Sequence, residues 1–191
     1  LVFLYAAFAT YAAVPYFDKK FRKFGFLVED KYKKKKEKIP TMGGLPILVG
    51  VMISLALSQL IMVKYQVGEL FIFYFIVMVY ALYGLVDDLF AFKHRYDKIA
   101  VLLVLSFPIA SLLHTTQVGG VELGYIYLLF LAPFYIMVVA NLVNVYSGYN
   151  GLASGLSLIL LLASAVKSYM IYSSNNLVYI LPVLAGLIVF Y

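Results

Sequence analysis

Two adjacent carboxylates, Asp87 and Asp88, close the third long apolar run of the sequence. An ionised carboxylate near hydrocarbon is costly, about 2.5–3.5 kcal/mol at the centre of a bilayer on insertion scales. The C-terminal end of a helix also disfavours negative charge, because the helix dipole is negative there. The pair therefore predicts a cation or a hydrogen-bond network beside it, and we favour a functional site over a merely hydrated helix end.

A second polar cluster, NLVNVYSGYNGLASG, covers residues 141–155. Asn141 and Asn144 are three residues apart, so they share one face of a helix. Carboxylate and amide oxygens suit Mg²⁺, a hard ion that binds phosphates. Gly148 and Gly151 allow the backbone to approach a ligand closely. Together with the two carboxylates, this pattern favours a metal and phosphate site.

The same cluster has a purely structural explanation that its local features support equally well. Ser147 or Asn150 is a suitable cap for the helix that follows. Gly151 and Gly155, four residues apart, suit close packing between helices.

Two further features lie on the same side of the predicted membrane. Pro40 and the Gly43–Gly44 pair indicate a turn where the chain enters the bilayer. Lys98, at the start of the fourth apolar run, can bind a phosphate as a point charge. A lysine that extends to the membrane interface explains Lys98 equally well.

The elements that position these residues are membrane spans. The chain of 191 residues is 64% hydrophobic and 13% charged, with a mean hydropathy of +0.96, and it has no cysteine that could form a disulfide or a thiolate site. Apolar segments cover residues 1–17, 45–63, 70–86, 99–113, 125–140, 152–166 and 177–191, each near the ~20 residues of a spanning helix. We predict an all-α fold, a polytopic transmembrane helical bundle that forms one integral membrane domain over residues 1–191.

Basic residues predict the orientation of the bundle. Thirteen of the fifteen Lys and Arg residues fall in the segments after the first and third spans, and only Lys64 and Lys167 fall on the other side. Because cytoplasmic loops are enriched in Lys and Arg, we predict cytoplasmic loops at 18–44, 87–98 and 141–151. The lysine run at 33–36 is best explained by topology and anionic lipid heads, and nucleic acid is not a predicted partner.

Three motifs together resemble the polyprenyl-phosphate N-acetylhexosamine-1-phosphate transferases (glycosyltransferase 4 type). They are PTMGG at 40–44, GLVDD at 84–88, and NLVN with NGLASG between 141 and 155. Ser147 and Asn150 are similar to the archaeal and eukaryotic branch that makes dolichyl-pyrophosphate N-acetylglucosamine, whereas the bacterial cell-wall branch has Asp at both positions. The resemblance implies about ten spans with a later acidic metal ligand, so we interpret these seven spans as part of a longer protein.

The resemblance also implies a function. N-acetylglucosamine 1-phosphate would pass from UDP-N-acetylglucosamine to a polyprenyl or dolichyl phosphate, with release of UMP and with Mg²⁺ (or Mn²⁺) as cofactor. Asp87, Asp88 and Lys98 are the implied catalytic residues, and Asn144 joins the two Asp residues as a metal ligand. The implied substrate-binding residues are Asn141, Asn144, Gly148, Asn150 and Gly151.

Several questions stay open at this level. The first alternative is a phospho-N-acetylmuramoyl-pentapeptide transferase or another enzyme of the same family. The second is a transporter with a charged gate, although transporter charges are expected nearer the midplane of the bilayer. The active site is predicted on the cytoplasmic face, of the cell membrane in an archaeon or of the endoplasmic reticulum in a eukaryote. The oligomeric state, a homodimer included, is open.

Overall fold

The computed structural model describes residues 1–29, 38–61, 67–90, 94–112, 116–146, 151–172 and 177–191. These residues form seven helices and two short β-hairpins, and the predicted all-α bundle is confirmed. In chain order the helices are α1 (Val2–Phe24), α2 (Gly44–Ile61), α3 (Val67–Phe90), α4 (Arg95–Ser111), α5 (Gly124–Tyr146), α6 (Leu152–Tyr172) and α7 (Leu177–Phe190).

Within the described part of the chain, three stretches are helical, long and apolar enough to cross a membrane. They are Leu70–Phe90, Gly124–Tyr146 and Leu152–Ile171. Gly44–Leu60 and Leu177–Phe190 form shorter apolar helices. The chain is therefore a membrane protein, while the seven-span topology and its sidedness stay predictions.

Several helices extend beyond the apolar runs from which they were predicted. α1 continues to Phe24 and ends only at Gly25, whose φ of 76° is left-handed and whose N–H bonds to the carbonyl of Phe21. In the same way α3 extends to Phe90 and α5 to Tyr146. Segments predicted to be loops from residues 18, 87 and 141 therefore begin as helix, because polar side chains do not break a helix as glycine does. The carboxylates and asparagines thus lie on regular helices.

Two hairpins were not predicted from the sequence. β1 (Leu27–Glu29) pairs antiparallel with β2 (Lys38–Pro40), and β3 (Gln117–Val118) pairs with β4 (Val121–Glu122). After β2, the backbone N–H and the hydroxyl of Thr41 both donate to the carbonyl of Phe26, at 3.1 and 3.3 Å. The first hairpin thereby fixes the turn that leads into α2.

α1, α2 and α7 pack into a block that we call the anchor block. Small residues let their backbones approach: a Cβ built on Gly50 of α2 would collide with Thr10 of α1, and one on Gly186 of α7 would lie 3.0 Å from Ile47. Ser54 donates to the carbonyl of Val2 at 2.6 Å and locks α2 to the start of α1. Such small-residue contacts are the usual way in which helices pack inside a membrane.

α5 contains a π-helical stretch, Tyr127–Leu131, just before Pro133. Proline has no N–H to donate and crowds the preceding turn of a helix. A wider π-helical turn relieves that crowding and lets the helix continue. The asparagines at the far end of α5 therefore stay on one continuous helix.

Candidate active site

An ion pair forms the centre of the site. The Lys98 ammonium, in the first turn of α4, lies 2.7 Å from Oδ1 and 2.8 Å from Oδ2 of Asp87. The Asp87 side chain is 11% exposed and that of Lys98 29%. A carboxylate that is largely removed from water needs such a partner, because an isolated charge there is strongly disfavoured. The cation predicted beside the carboxylates is therefore supplied by the chain itself.

Asn144 of α5 joins this pair from a third helix. Its side-chain amide N–H donates to Oδ2 of Asp87 over 3.4 Å, a long hydrogen bond. Tyr83, one helical turn before Asp87 on α3, lies beside Asp87 and Asn144. Sequence reasoning missed Tyr83, although the spacing of four residues from Asp87 places the two on the same face of α3.

Asp88 has different surroundings from its neighbour. It is exposed at the end of α3, and the backbone N–H of Met42 lies within hydrogen-bonding reach of its carboxylate. Met42 has a φ of 60° although it is not a glycine, a conformation that costs roughly 1–3 kcal/mol. The side chain of Met42 is 8% exposed. The strained turn at the start of α2 thus presents a backbone donor to the second carboxylate.

A cavity of about 420 Å³ opens beside these groups. Its walls are mainly apolar and come from five helices and the turn before α2, and Asp87, Asp88 and Asn144 lie on its boundary. Residues that contribute to the wall include Met42, Leu45 and Leu48 near α2, Tyr80, Tyr83 and Leu85 of α3, Leu102 of α4, Val143 of α5 and Ala153 of α6. Apolar walls with a few convergent polar groups are typical of ligand sites.

The remaining predicted residues have mixed placements. Asn141 lies one turn before Asn144 on α5, and it is not among the residues that line the cavity. Gly151, with a φ of 78°, lies just before α6 and contacts the ring of Tyr191. Gly148 and Asn150, together with Ser147, lie outside the described residues. The structure therefore brings together Asp87, Asp88, Lys98 and Asn144, and it leaves the nucleotide contacts predicted for residues 148 and 150 as predictions.

The donor chemistry of the site fits a hard divalent cation. No group of three or more His, Cys, Asp or Glu side chains converges anywhere in the described residues. Mg²⁺ needs no such group, since it is usually held by one or two carboxylates, substrate phosphates and water. Because Asp87 is already paired with Lys98, the exposed carboxylate of Asp88 and the amide oxygen of Asn144 are the groups best suited to hold it.

Comparison with known proteins identifies the family. The model of glycosyl transferase family 4 matches residues 70–191, from α3 to the end of α7 and including the whole charged cluster. The chain belongs to this family, which confirms the family-level resemblance drawn from the three motifs.

Relatives of this chain include three proteins named phospho-N-acetylmuramoyl-pentapeptide-transferase. The one from Staphylococcus epidermidis (strain ATCC 12228 / FDA PCI 1200) is 28% identical over 91% of this chain and 62% of its own length. Those from Hydrogenobaculum sp. (strain Y04AAS1) and Clostridium novyi (strain NT) are 29% and 28% identical, over 62% and 80% of this chain. The match covers 36% and 51% of their own lengths, so the chain spans less than two thirds of each relative. These names correspond to the first alternative, and the archaeal or eukaryotic branch stays a prediction.

Proposed function

We propose that the protein transfers a sugar 1-phosphate from a UDP-sugar to a polyprenyl phosphate at the membrane surface. The observation that carries this proposal is the apolar cavity that ends on Asp87, Asp88 and Asn144, with Lys98 paired to Asp87. A lipid phosphate is apolar along its chain and charged at one end, and the cavity combines mainly apolar walls with two carboxylates and an amide. Membership of glycosyl transferase family 4 supports a transferase over the transporter alternative.

The acceptor would enter with its isoprenoid chain against the apolar wall. Leu45, Leu48 and Leu102 contribute to that wall. Each buried CH₂ of the lipid contributes about 0.8 kcal/mol, so a few isoprene units would hold the acceptor firmly. The phosphate would then lie at the charged end of the cavity.

The reaction itself is a phosphoryl transfer without redox chemistry. An oxygen of the lipid phosphate attacks the sugar-proximal phosphorus of the UDP-sugar, and the bond from that phosphorus to the bridging oxygen breaks. UMP leaves with the bonding electrons, and the product is a lipid-linked sugar pyrophosphate. A phosphate monoester has a second pKa near 6, so the acceptor needs no strong base to attack. The protein contributes mainly position and charge compensation.

The ion pair suggests how the two carboxylates divide these tasks. Asp87, which lines the cavity, holds the Lys98 ammonium, and this cation can also attract phosphate oxygens. Asp88 is exposed and is the carboxylate available to the acceptor or to a metal. In this proposal Asp87 orients Lys98 and Asn144, while Asp88 faces the substrates.

Mg²⁺, when bound, would neutralise charge on the pyrophosphate of the donor. Asp88 and Asn144 would hold it, with the substrate phosphates and water filling the remaining positions. Asn144 is fixed for this role by its hydrogen bond to Asp87 and by its position on a continuous helix.

The identity of the sugar has two candidates. The named relatives favour a UDP-N-acetylmuramoyl-pentapeptide donor. Ser147 and Asn150 favour UDP-N-acetylglucosamine, since the cell-wall branch is expected to have Asp at both positions. The comparisons support the first candidate more directly, and the second rests on two residues.

A donor panel tests both the activity and the sugar. Membranes that contain the full-length protein would receive undecaprenyl phosphate or dolichyl phosphate, Mg²⁺, and one of the two UDP-sugars. The proposal predicts UMP together with a lipid pyrophosphate whose mass identifies the sugar. If folded protein releases no UMP from either donor with either lipid, the proposed function is wrong.

A further inference from the structure

The C-terminal end of α7 carries two aromatic residues that no step of the proposed reaction uses. Phe190 is the last residue of α7 and Tyr191 follows it. The helix that carries them is well anchored, because Pro182, Leu184, Ala185 and Leu187 are buried in the bundle. The anchor block therefore holds the backbone that carries them, while the residues themselves are 38% (Phe190) and 77% (Tyr191) exposed.

Each of these aromatic residues lies near a glycine of a different site motif. A Cβ built on Gly43, in the turn before α2, would lie 2.7 Å from Cζ of Phe190. A Cβ built on Gly151, before α6, would lie 3.4 Å from Cε2 of Tyr191. The Phe190 ring therefore lies where a side chain at position 43 would extend, whereas the largely exposed Tyr191 ring lies at ordinary van der Waals distance from a side chain built at position 151.

The contact at Gly43 leads directly to the site. Gly43 follows Met42, whose strained backbone faces Asp88. A residue held in a left-handed conformation keeps it only where its surroundings are fixed. Phe190 supplies such a surrounding on one side, and the hydrogen bonds of Thr41 to Phe26 supply it on the other.

The contact at Gly151 has a similar consequence for α6. The carbonyl of Gly151 accepts hydrogen bonds from the N–H of Gly155, at 2.9 Å, and from the Ser154 hydroxyl, at 3.1 Å. These bonds start the helix that brings Ala153 to the cavity wall. The ring of Tyr191 thus lies near Gly151 at the start of α6.

We propose that Phe190 and Tyr191 are positioning residues that hold the turns at Gly43 and Gly151 in register with each other across the site. Through Gly43 and Met42, Phe190 sets the position of the donor N–H that faces Asp88. This inference rests on the proposed function for its kinetic test, although the contacts themselves can be tested without any substrate.

The kinetic test uses the complementary sizes of residues 43 and 190. Gly43→Ala is expected to lower kcat by roughly ten-fold, below the ~100-fold that a 1 Å misplacement can cost, with KM for lipid and donor nearly unchanged. Phe190→Leu removes the ring atom that meets the new methyl group, so Gly43→Ala/Phe190→Leu should recover to the level of Phe190→Leu alone. Full activity of Gly43→Ala, or a double variant whose losses simply multiply, would overturn the inference.

Tyr191 offers a conservative rescue. Tyr191→Phe keeps the ring against Gly151 and should retain kcat within about two-fold, whereas Tyr191→Ala should lose it by several-fold. Equal loss in both variants would show that the hydroxyl, and not the ring, matters, and would contradict a positioning role.

A substrate-free measurement separates this inference from the proposed function. Residues 1–191 contain no cysteine, so Ser154→Cys, with any cysteine outside this range replaced by serine, gives a single thiol at the cavity that Tyr191 also lines. Its labelling by a maleimide should be several-fold faster in the Tyr191→Ala background than in the Tyr191→Phe background. Equal labelling rates would reject the contact, even if the enzyme proves active. If no donor is turned over but the rates differ, the contact stands and only the proposed reaction fails.

Discussion

The anchor block and the site side of the bundle, by which we mean α3 to α6, differ in how much of their helical surface is buried. In the anchor block, Ala6, Thr10, Ser54, Leu55 and Ala185 are fully buried and the helices touch through glycines. On the site side, only 6% of the spanning window of α3, 17% of that of α5 and 6% of that of α6 is buried. One side is close-packed, and the other encloses a cavity and leaves most of its helical surface uncovered.

The difference shows how the site combines rigidity with access. The chemical groups Asp87, Lys98 and Asn144 come from the loosely packed helices, whereas the turn at Met42 and the aromatic end of α7 belong to the anchor block. The ion pair between Asp87 and Lys98 and the hydrogen bond to Asn144 connect α3 to α4 and α5, with which α3 otherwise shares little packing, although α4 and α5 pack against each other. Polar contacts therefore join α3 to its neighbours on the side where the lipid acceptor is proposed to enter.

The largest expected effect is on the anchor block. Gly50→Val places a branched side chain against Thr10, including its backbone N at 3.0 Å from the new Cβ. Overpacking of this kind costs roughly 1–3 kcal/mol, and we expect the unfolding temperature in detergent to fall by several degrees. Gly84→Val on α3 is the matched control, since a Cβ there meets nothing within 4 Å. Equal stability of the two variants would remove the contrast between the two sides.

The polar connection on the site side should show coupling rather than simple loss. Lys98→Met leaves Asp87 without its cation, and Asp87→Asn leaves Lys98 without its anion, so each should destabilise the protein. The double variant should be more stable than the sum of the single losses predicts, by roughly 0.5–3 kcal/mol. Thermal unfolding of all four proteins measures this cycle. Additive losses would mean that the ion pair does not connect α3 to α4.

The smallest expected effect concerns the turn at Met42. Leucine and isoleucine have similar size and polarity and differ in where the side chain branches, so the two substitutions can be compared at this position. Met42→Leu should retain UMP release within about two-fold, because leucine has no branch at Cβ. Met42→Ile should lower it by several-fold, since a β-branched residue strongly disfavours a positive φ. Initial rates in matched membranes give the comparison. If isoleucine is tolerated as well as leucine, the left-handed turn does not position Asp88.

Sequence reasoning found the helices because long apolar runs dominate them, and it found the charged cluster because carboxylates at a membrane boundary are rare. It could not assign Lys98 to Asp87, since that pairing depends on how α3 and α4 meet in space. The φ of Met42 and the contacts of Phe190 and Tyr191 have no local signal, because glycines at positions 43 and 151 are equally suited to an ordinary turn. Tyr83 could have been predicted as a site residue from its four-residue spacing to Asp87, but it was overlooked.

The most direct test of the account is UMP release by full-length protein in membranes, with polyprenyl phosphate, Mg²⁺ and the donor that the panel selects. Asp87→Asn and Asn144→Ala would run beside Asp97→Asn, an exposed carboxylate one residue before Lys98. The account predicts release that depends on lipid and metal, a fall of at least ~100-fold in the first two variants, and wild-type rates for Asp97→Asn. Undiminished release in Asp87→Asn and Asn144→Ala would contradict the placement of the active site at this cavity.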